Sequence, residues 1–229
     1  MNLGAIVDSL PTYGEGLLTT LALLAMALVL GALGALPLAV LRASDRPWVA
    51  RPVAFYTWLF RGTPLLVQLF LLYYGLAQFE AVRASVLWPW LSSAWFCAVL
   101  AFALNTCAYT TEIVAGAIRA TPPGEVEAAR ACGMRATMLL RRIVLPSALR
   151  RSLPAYSNEA IMMLHGTSLA SVVTLLDLTG VARDVNSRFY IPFEAFITAG
   201  ALYLAITLVL VGLFHAAERR WLAHLAPRR

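Results

Sequence analysis

Residues 17–41, LLTTLALLAMALVLGALGALPLAVL, run for 25 positions without an ionisable side chain. A helix crosses a hydrocarbon layer of about 30 Å in roughly 20 residues, so this stretch alone is long enough to span a bilayer. Four further windows qualify, at residues 63–79, 92–118, 153–176 and 193–217. The expected fold is therefore an all-α integral membrane protein with five transmembrane helices. Composition agrees: of 229 residues 60% are hydrophobic and 13% charged, with a mean hydropathy of +0.74. A soluble domain carries about 25% charged residues, and half that number cannot cover its exterior, which argues against a cytosolic enzyme. The segment ahead of the first span has no Arg or Lys and carries Asp8 and Glu15. That is the wrong start for a cleaved signal peptide, so the first span is expected to remain as an anchor.

All 18 basic residues are Arg, and their placement says more than the net +6. Residues 42–61, residues 119–151 and the C-terminal tail together hold 15 Arg against four acids. The N-terminal segment, residues 80–91 and residues 177–194 hold Arg83, Arg183 and Arg188 against six acids. By the positive-inside rule the Arg-rich segments are cytoplasmic, the N-terminus faces out and the C-terminus in. The basic balance is thus a matter of membrane topology and implies no nucleic acid. Trp48, Trp58, Trp88, Trp90 and Trp221 fall near span ends, where an interfacial aromatic belt belongs. Cys97, Cys107 and Cys132 lack metal-type spacing, so packing is their expected role and no metal site is expected. No internal repeat is visible, and residues 1–229 read as a single membrane domain.

Two places interrupt the hydropathy. Pro52 can open a short helix through Phe60, after which Gly62 gives freedom, Thr63 can act as N-cap and Pro64 fits the first helical position, so the second span starts at a built-in corner. Residues 119–151 are too long for a turn and too polar to span. Residues 124–134 suit a short helix, with Glu125 and Glu127 near its N-terminal end and Gly133 to break it. A second helix runs through Leu139, Leu140 and Ile143.

The sequence Glu127-Ala128-Ala129, then Gly133, then Ile143-Val144-Leu145-Pro146 resembles the EAA loop of ABC importer permeases. In that family the loop forms a coupling helix seated in the ATPase subunit. Phe60-Arg61-Gly62-Thr63-Pro64-Leu65-Leu66-Val67-Gln68 and Ala108-Tyr109-Thr110-Thr111-Glu112-Ile113 are similar to the signature of polar amino acid permeases. Leu153-Pro154-Ala155-Tyr156-Ser157-Asn158-Glu159, with Leu164-His165 and Ala182-Arg183-Asp184-Val185-Asn186-Ser187, resembles the M-type permeases of importers for histidine, lysine, arginine and ornithine. One departure is visible: His165-Gly166 stands before Thr167-Ser168-Leu169 where many members have Lys-Asp. This resemblance implies a pore-forming subunit of an ATP-driven importer in a bacterial inner membrane, moving a basic amino acid by alternating access. Another polar amino acid or an opine is the alternative cargo. It implies separate ATPase subunits that bind ATP and Mg, a second similar permease in a heterodimer or homodimer, a periplasmic amino acid-binding protein and surrounding lipid. It also implies ATPase coupling through Glu127, Ala128, Ala129, Gly133, Leu145 and Pro146, with no cofactor in this chain.

The residues themselves point the same way. With no Lys there is no Gly-x-x-x-x-Gly-Lys phosphate loop, so energy must come from a partner. No His-Glu-x-x-His zinc motif or Gly-x-Ser-x-Gly elbow marks an intramembrane enzyme. A stand-alone ion-coupled carrier, the remaining reading, usually shows paired repeats within one chain. An acid near the bilayer centre costs about 2.5 to 3.5 kcal/mol, so Glu112 and Glu159 require either bonding to neighbouring spans or a water-filled cavity. Asn105, Tyr109, Glu112 and Gly116 recur at helical spacing on one face, expected to point inward. On the fourth span Asn158, Met162, His165 and Leu169 form one stripe, with Glu159, Met163 and Gly166 beside it, and Glu159 and His165 too far round the helix to pair. The candidate substrate-binding residues are Glu159, Asn158, His165, Glu112 and Tyr109. His165 also reads as a hydrogen-bonded helix residue.

Overall fold

The computed structural model describes residues 3–221. Arg228 and Arg229, part of the basic tail, lie outside the described residues. The chain is helical throughout its described elements. Among the described residues three helices, starting with α1 (Leu3–Arg42), are each long and apolar enough to cross a membrane, and two bent pairs, if each is counted as one span, bring the number to five.

The α1 helix begins 14 residues before the apolar window, because its first turns have a dry partner. Tyr13 is buried and its hydroxyl donates to the Ala195 carbonyl oxygen at 2.8 Å. After α1, the helix α2 (Pro47–Gly62) meets α3 (Leu65–Phe70), which runs on through a π turn, Leu71–Gly75, and a 3-10 turn, Leu76–Gln78. The two halves meet at 102°. The corner lies where the sequence put it, but its chemistry differs. Pro64, not Thr63, occupies the cap position, and Thr63 donates backward from its hydroxyl to the Leu59 carbonyl at 2.8 Å. Short helices α4 (Glu80–Arg83) and α5 (Trp88–Leu91) lead into α6 (Ala94–Arg119).

The centre of the molecule is α6, which packs along α1 through small residues, as membrane helices do when backbones approach closely. A methyl group on Gly31 would overlap the Thr106 methyl and come within 3.2 Å of the Cys107 backbone nitrogen. Around this seam Leu23, Leu69, Phe102 and Leu164 form the core.

Beyond α6 come α7 (Pro123–Ala131) and α8 (Ala136–Leu139), and α8 passes through a π turn, Leu140–Val144, into α9 (Leu145–Gly166). Residues 119–151, expected to hold two helices, are mostly helical, and from Ala136 on they run continuously into the fourth span. Pro146 falls in the first turn of α9, where its missing N–H costs little. A 3-10 turn, Thr167–Val173, follows, and the chain bends by 46° before α10 (Leu178–Phe189). The charges of residues 177–194 suggest an exposed loop. Instead Leu178, Val181, Ala182 and Val185 are buried against Tyr13 and Ala195, an apolar i, i+3, i+4, i+7 stripe. The last helix, α11 (Pro192–Trp221), leaves much of its apolar side exposed, including Leu204, Leu208, Val209 and Leu213. Cys97 and Cys107 are packed as expected, whereas Cys132 is exposed just past the end of α7.

Of the two expectations for Glu112, the structure shows bonding to neighbouring helices. Its carboxylate oxygen Oε1 accepts from Arg42 Nε at 2.6 Å and from the Thr57 hydroxyl at 2.7 Å. The stripe Asn105, Tyr109, Glu112 does lie on one face of α6, but by the level of Glu112 the end of α1 and the middle of α2 have closed over it. Removing one partner of a buried ion pair costs about 3 to 5 kcal/mol. These side chains keep 25% and 17% of their exposure, so Arg42→Met is expected to cost about half as much, roughly 2 kcal/mol. The check is thermal inactivation of the purified transporter, with Arg42→Met/Glu112→Leu recovering most of the loss. An unchanged single variant would show that the pair holds nothing.

Candidate functional site

One cavity of about 850 Å³ opens between the α2–α3 corner, α6 and α9. Both α9 stripes face it, Asn158, Met162 and His165 from one and Glu159, Met163 and Gly166 from the other, with Leu169 of the following 3-10 turn. From α6 come Asn105, Tyr109 and Ile113. Of the five candidate substrate-binding residues the structure thus brings four together and leaves Glu112 outside. The cavity is within the range of small-molecule sites, roughly 300 to 1,000 Å³, in which an apolar lining carries a few placed polar groups.

Glu159 is the centre of its electrostatics. It is 7% exposed, accepts from the Thr106 hydroxyl at 3.0 Å, and has no ion-pair partner among the described residues. A buried, singly hydrogen-bonded carboxylate against a cavity is a cation site in waiting, because a negative charge taken out of water gains most from an opposite charge. Glu159 and His165 line the same space without bonding each other, as their spacing required. The His165 ring nitrogen Nε2 lies 3.4 Å from the Thr207 hydroxyl on α11. It also borders a second cavity of about 330 Å³ shared with Ser168, Thr179 and Tyr203.

Arg61 supplies the opposite charge, and sequence reasoning missed it by counting it among the Arg-rich loops. It ends α2 at the cavity wall, its guanidinium carbon 5.2 Å from the centre of the Tyr109 ring, a cation–π contact. The Tyr109 hydroxyl reaches back to the Arg61 carbonyl at 3.5 Å. What holds Arg61 there is the corner. Gln68 Nε2 faces three acceptors, the Phe60 carbonyl at 2.7 Å, the Thr63 carbonyl at 3.1 Å and the Thr63 hydroxyl at 2.8 Å. Asn105 Nδ2 donates to Gln68 Oε1 at 3.0 Å. Asn105, expected only as part of an inward stripe, is thus a clamp on the corner. Among the described residues no group of three His, Cys, Asp or Glu could hold a metal ion.

The second candidate surface lies at the far end of α6. Glu127 and Ala128 are exposed on α7, while Ala129 is buried against Leu139 and Val144. Gly133 ends the helix with φ +76°, its N–H bonded to the Arg130 carbonyl at 2.9 Å, and the Met134 N–H is bonded to the Ala129 carbonyl at 3.1 Å. That pair of bonds is a Schellman cap, and Met134 completes it by packing into the Ala129 cluster. Leu145 and Pro146 open α9 and are half-buried.

Comparison with known proteins places this geometry. Residues 31–223 match the family described as binding-protein-dependent transport system inner membrane component. The chain is 51% identical over 214 residues, 93% of its length and 91% of the relative's, to the histidine/lysine/arginine/ornithine transport system permease protein HisM of Salmonella typhimurium. It is 47% identical over 203 residues, 89% of its length and 83% of the relative's, to the octopine transport system permease protein OccM of Rhizobium meliloti. Among solved structures it resembles an amino acid ABC transporter crystallised with histidines, at TM-score 0.85 and 36% identity, covering 96% of this chain and 99% of that one. The MetNI methionine ABC transporter in an inward-facing conformation shares the fold, at TM-score 0.76 and 18% identity, covering 93% and 97%.

Proposed function

We propose a function on the premise that this chain belongs to the family of binding-protein-dependent transport system inner membrane components, as a multi-pass transport component and not an enzyme. It is the permease of an ABC importer whose cargo is a basic amino acid. The observation that carries the cargo class is Glu159, a buried carboxylate with one hydrogen bond and no ion pair among the described residues, on a cavity whose other charged wall is Arg61. A basic amino acid presents a side-chain cation and a carboxylate at opposite ends. Glu159 receives the ammonium or guanidinium group and Arg61 the carboxylate. Asn158 and His165 offer polar contacts, and Tyr109 holds Arg61 at its station. The names of the permeases at 51% and 47% identity support a guanidinium- or ammonium-bearing cargo, and the second keeps an opine as the alternative.

Residues 1–229 form one transmembrane domain, with residues 119–151 as its coupling segment. The N-terminus faces the periplasm, and α7 and the C-terminus face the cytoplasm of a bacterial inner membrane. A periplasmic binding protein delivers cargo, a second permease completes the pore, and ATPase subunits, which carry ATP and Mg, dock on α7. Their hydrolysis cycle alternates the access of the cavity. The experiment that tests the cargo is substrate stimulation of ATP hydrolysis by the reconstituted importer with its binding protein. Arginine, lysine, histidine or ornithine should stimulate, and glutamine should not. Stimulation by octopine alone would favour the opine reading, and stimulation by glutamine alone would overturn both.

Orientation has its own test. Gly124→Cys, in a background without Cys97, Cys107 and the exposed Cys132, is expected to resist impermeant thiol reagents in intact cells and to react once the membrane is opened. Efficient labelling of intact cells would reverse the topology.

A further inference from the structure

Away from the central cavity, a groove of about 440 Å³ lies between the start of α9 and the end of α11, lined by Pro146, Leu149, Arg150, Arg220 and Trp221. The two helices run antiparallel here. Moving down α9 from His165 to Tyr156 to Arg150, the partners on α11 climb from Thr207 to Phe214 to Trp221. The groove therefore sits at the membrane boundary, where α11 leaves its apolar stretch and a tryptophan belongs.

Its two arginines are idle. Neither Arg150 nor Arg220 has a hydrogen bond or an ion pair among the described residues. The contrast is with Arg151, which bonds the Ser147 hydroxyl at 2.7 Å, the Thr121 hydroxyl at 2.8 Å and the Ala117 carbonyl at 3.1 Å. Two free guanidiniums in one concave site are an anion receptor, and the planar fork of each suits the oxygens of a phosphate ester. The apolar surroundings decide between a free anion and a tethered one. Val209, Leu213 and Arg220 fall on one face of α11 at spacings of four and seven, and Val209 and Leu213 are exposed. An exposed apolar track thus runs along the outer side of α11, beside the face that meets α9, and ends at Arg220 on the rim of the charged groove. An acyl chain on that track would place its headgroup phosphate between the arginines.

We propose that the groove of Arg150, Arg220 and Trp221 binds the phosphate headgroup of an anionic phospholipid, with its acyl chain along Val209 and Leu213. Basic pockets between membrane helices on the cytoplasmic side commonly take such headgroups, and the orientation proposed above puts this groove on that side.

The test uses the complete importer in nanodiscs of mixed phosphatidylglycerol and phosphatidylcholine, extracted gently and weighed intact by native mass spectrometry. Wild type is expected to retain phosphatidylglycerol selectively. Arg150→Gln/Arg220→Gln is expected to lose that retention by about 30-fold and each single variant by about fivefold, from roughly 1 kcal/mol per arginine. Arg150→Lys/Arg220→Lys, which keeps both charges, should stay within about fivefold of wild type. Equal retention of the two lipids by wild type, or no loss in the glutamine pair, would overturn the proposal. A lysine pair as depleted as the glutamine pair would assign the loss to packing and also overturn it. Displacement of the lipid by excess inorganic phosphate would make this a free-anion site. Loss of ATPase subunits from the glutamine pair with lipid retention unchanged would make the face a protein interface. Both of those outcomes contradict a lipid site.

Discussion

Glu159→Gln is expected to lower the apparent affinity for arginine or lysine by about 10- to 150-fold, while assembly and basal ATP hydrolysis persist. The glutamine keeps the shape of the side chain and can still accept from Thr106, so the fourth span loses a charge and nothing else. A hydrogen bond to a charged group contributes about 1.5 to 3 kcal/mol, and that range sets the size of the fall. The absence of an ion pair on Glu159 among the described residues makes the inference sharp. An acid neutralised by a neighbouring arginine, like Glu112 with Arg42, has its partner already. A free one has room for the cargo. Uptake measured over a concentration series separates affinity from capacity, and an unchanged profile would return Glu159 to a purely structural role.

Gly133→Leu is expected to uncouple. The backbone there has φ +76°, and the space a Cβ would enter is open for at least 4 Å, so the substitution meets no steric barrier except its own backbone. A left-handed residue other than glycine costs roughly 1 to 2 kcal/mol. The Schellman cap that presents Glu127 and Ala128 would then be populated about 5- to 30-fold less. ATPase stimulation by loaded binding protein should fall accordingly, with insertion of the permease intact. Gly133→Asn should recover most of the activity, since asparagine tolerates this conformation. Normal stimulation in Gly133→Leu would mean that the end of α7 does not matter to coupling.

The parts of the fold that were legible are those set by local physics. Hydropathy located the three long spans and the apolar part of each bent pair, the 3.6-residue period put Asn158 and His165 on one stripe of α9 and Glu159 on the stripe beside it, and glycine placed the end of α7. What was not legible depends on partners distant in sequence. Glu112 meets Arg42 across 70 residues, and no stripe on α6 shows that α1 and α2 cover it. Arg61 reads as loop charge because a linear tally cannot see that the Gln68 and Asn105 amides turn the corner and set it against the cavity. The buried stripe of α10 is present in the sequence as Leu178, Val181, Ala182 and Val185. Arg183, Asp184 and Arg188 between and beyond them hide it. Residue type alone suggests a cap at Thr63, but its hydroxyl is taken up by the Leu59 carbonyl behind it and the Gln68 amide, both set by the folded corner.

The central claim is that this chain is one of the membrane subunits of an ATP-driven importer of basic amino acids with cargo held at Glu159. The most direct measurement is uptake of labelled arginine into proteoliposomes containing the permease with its partner subunits and binding protein. The account predicts uptake that requires ATP and ATPase subunits and collapses in Glu159→Gln. Arginine uptake by the permease alone, driven by an ion gradient and insensitive to Glu159→Gln, would contradict it.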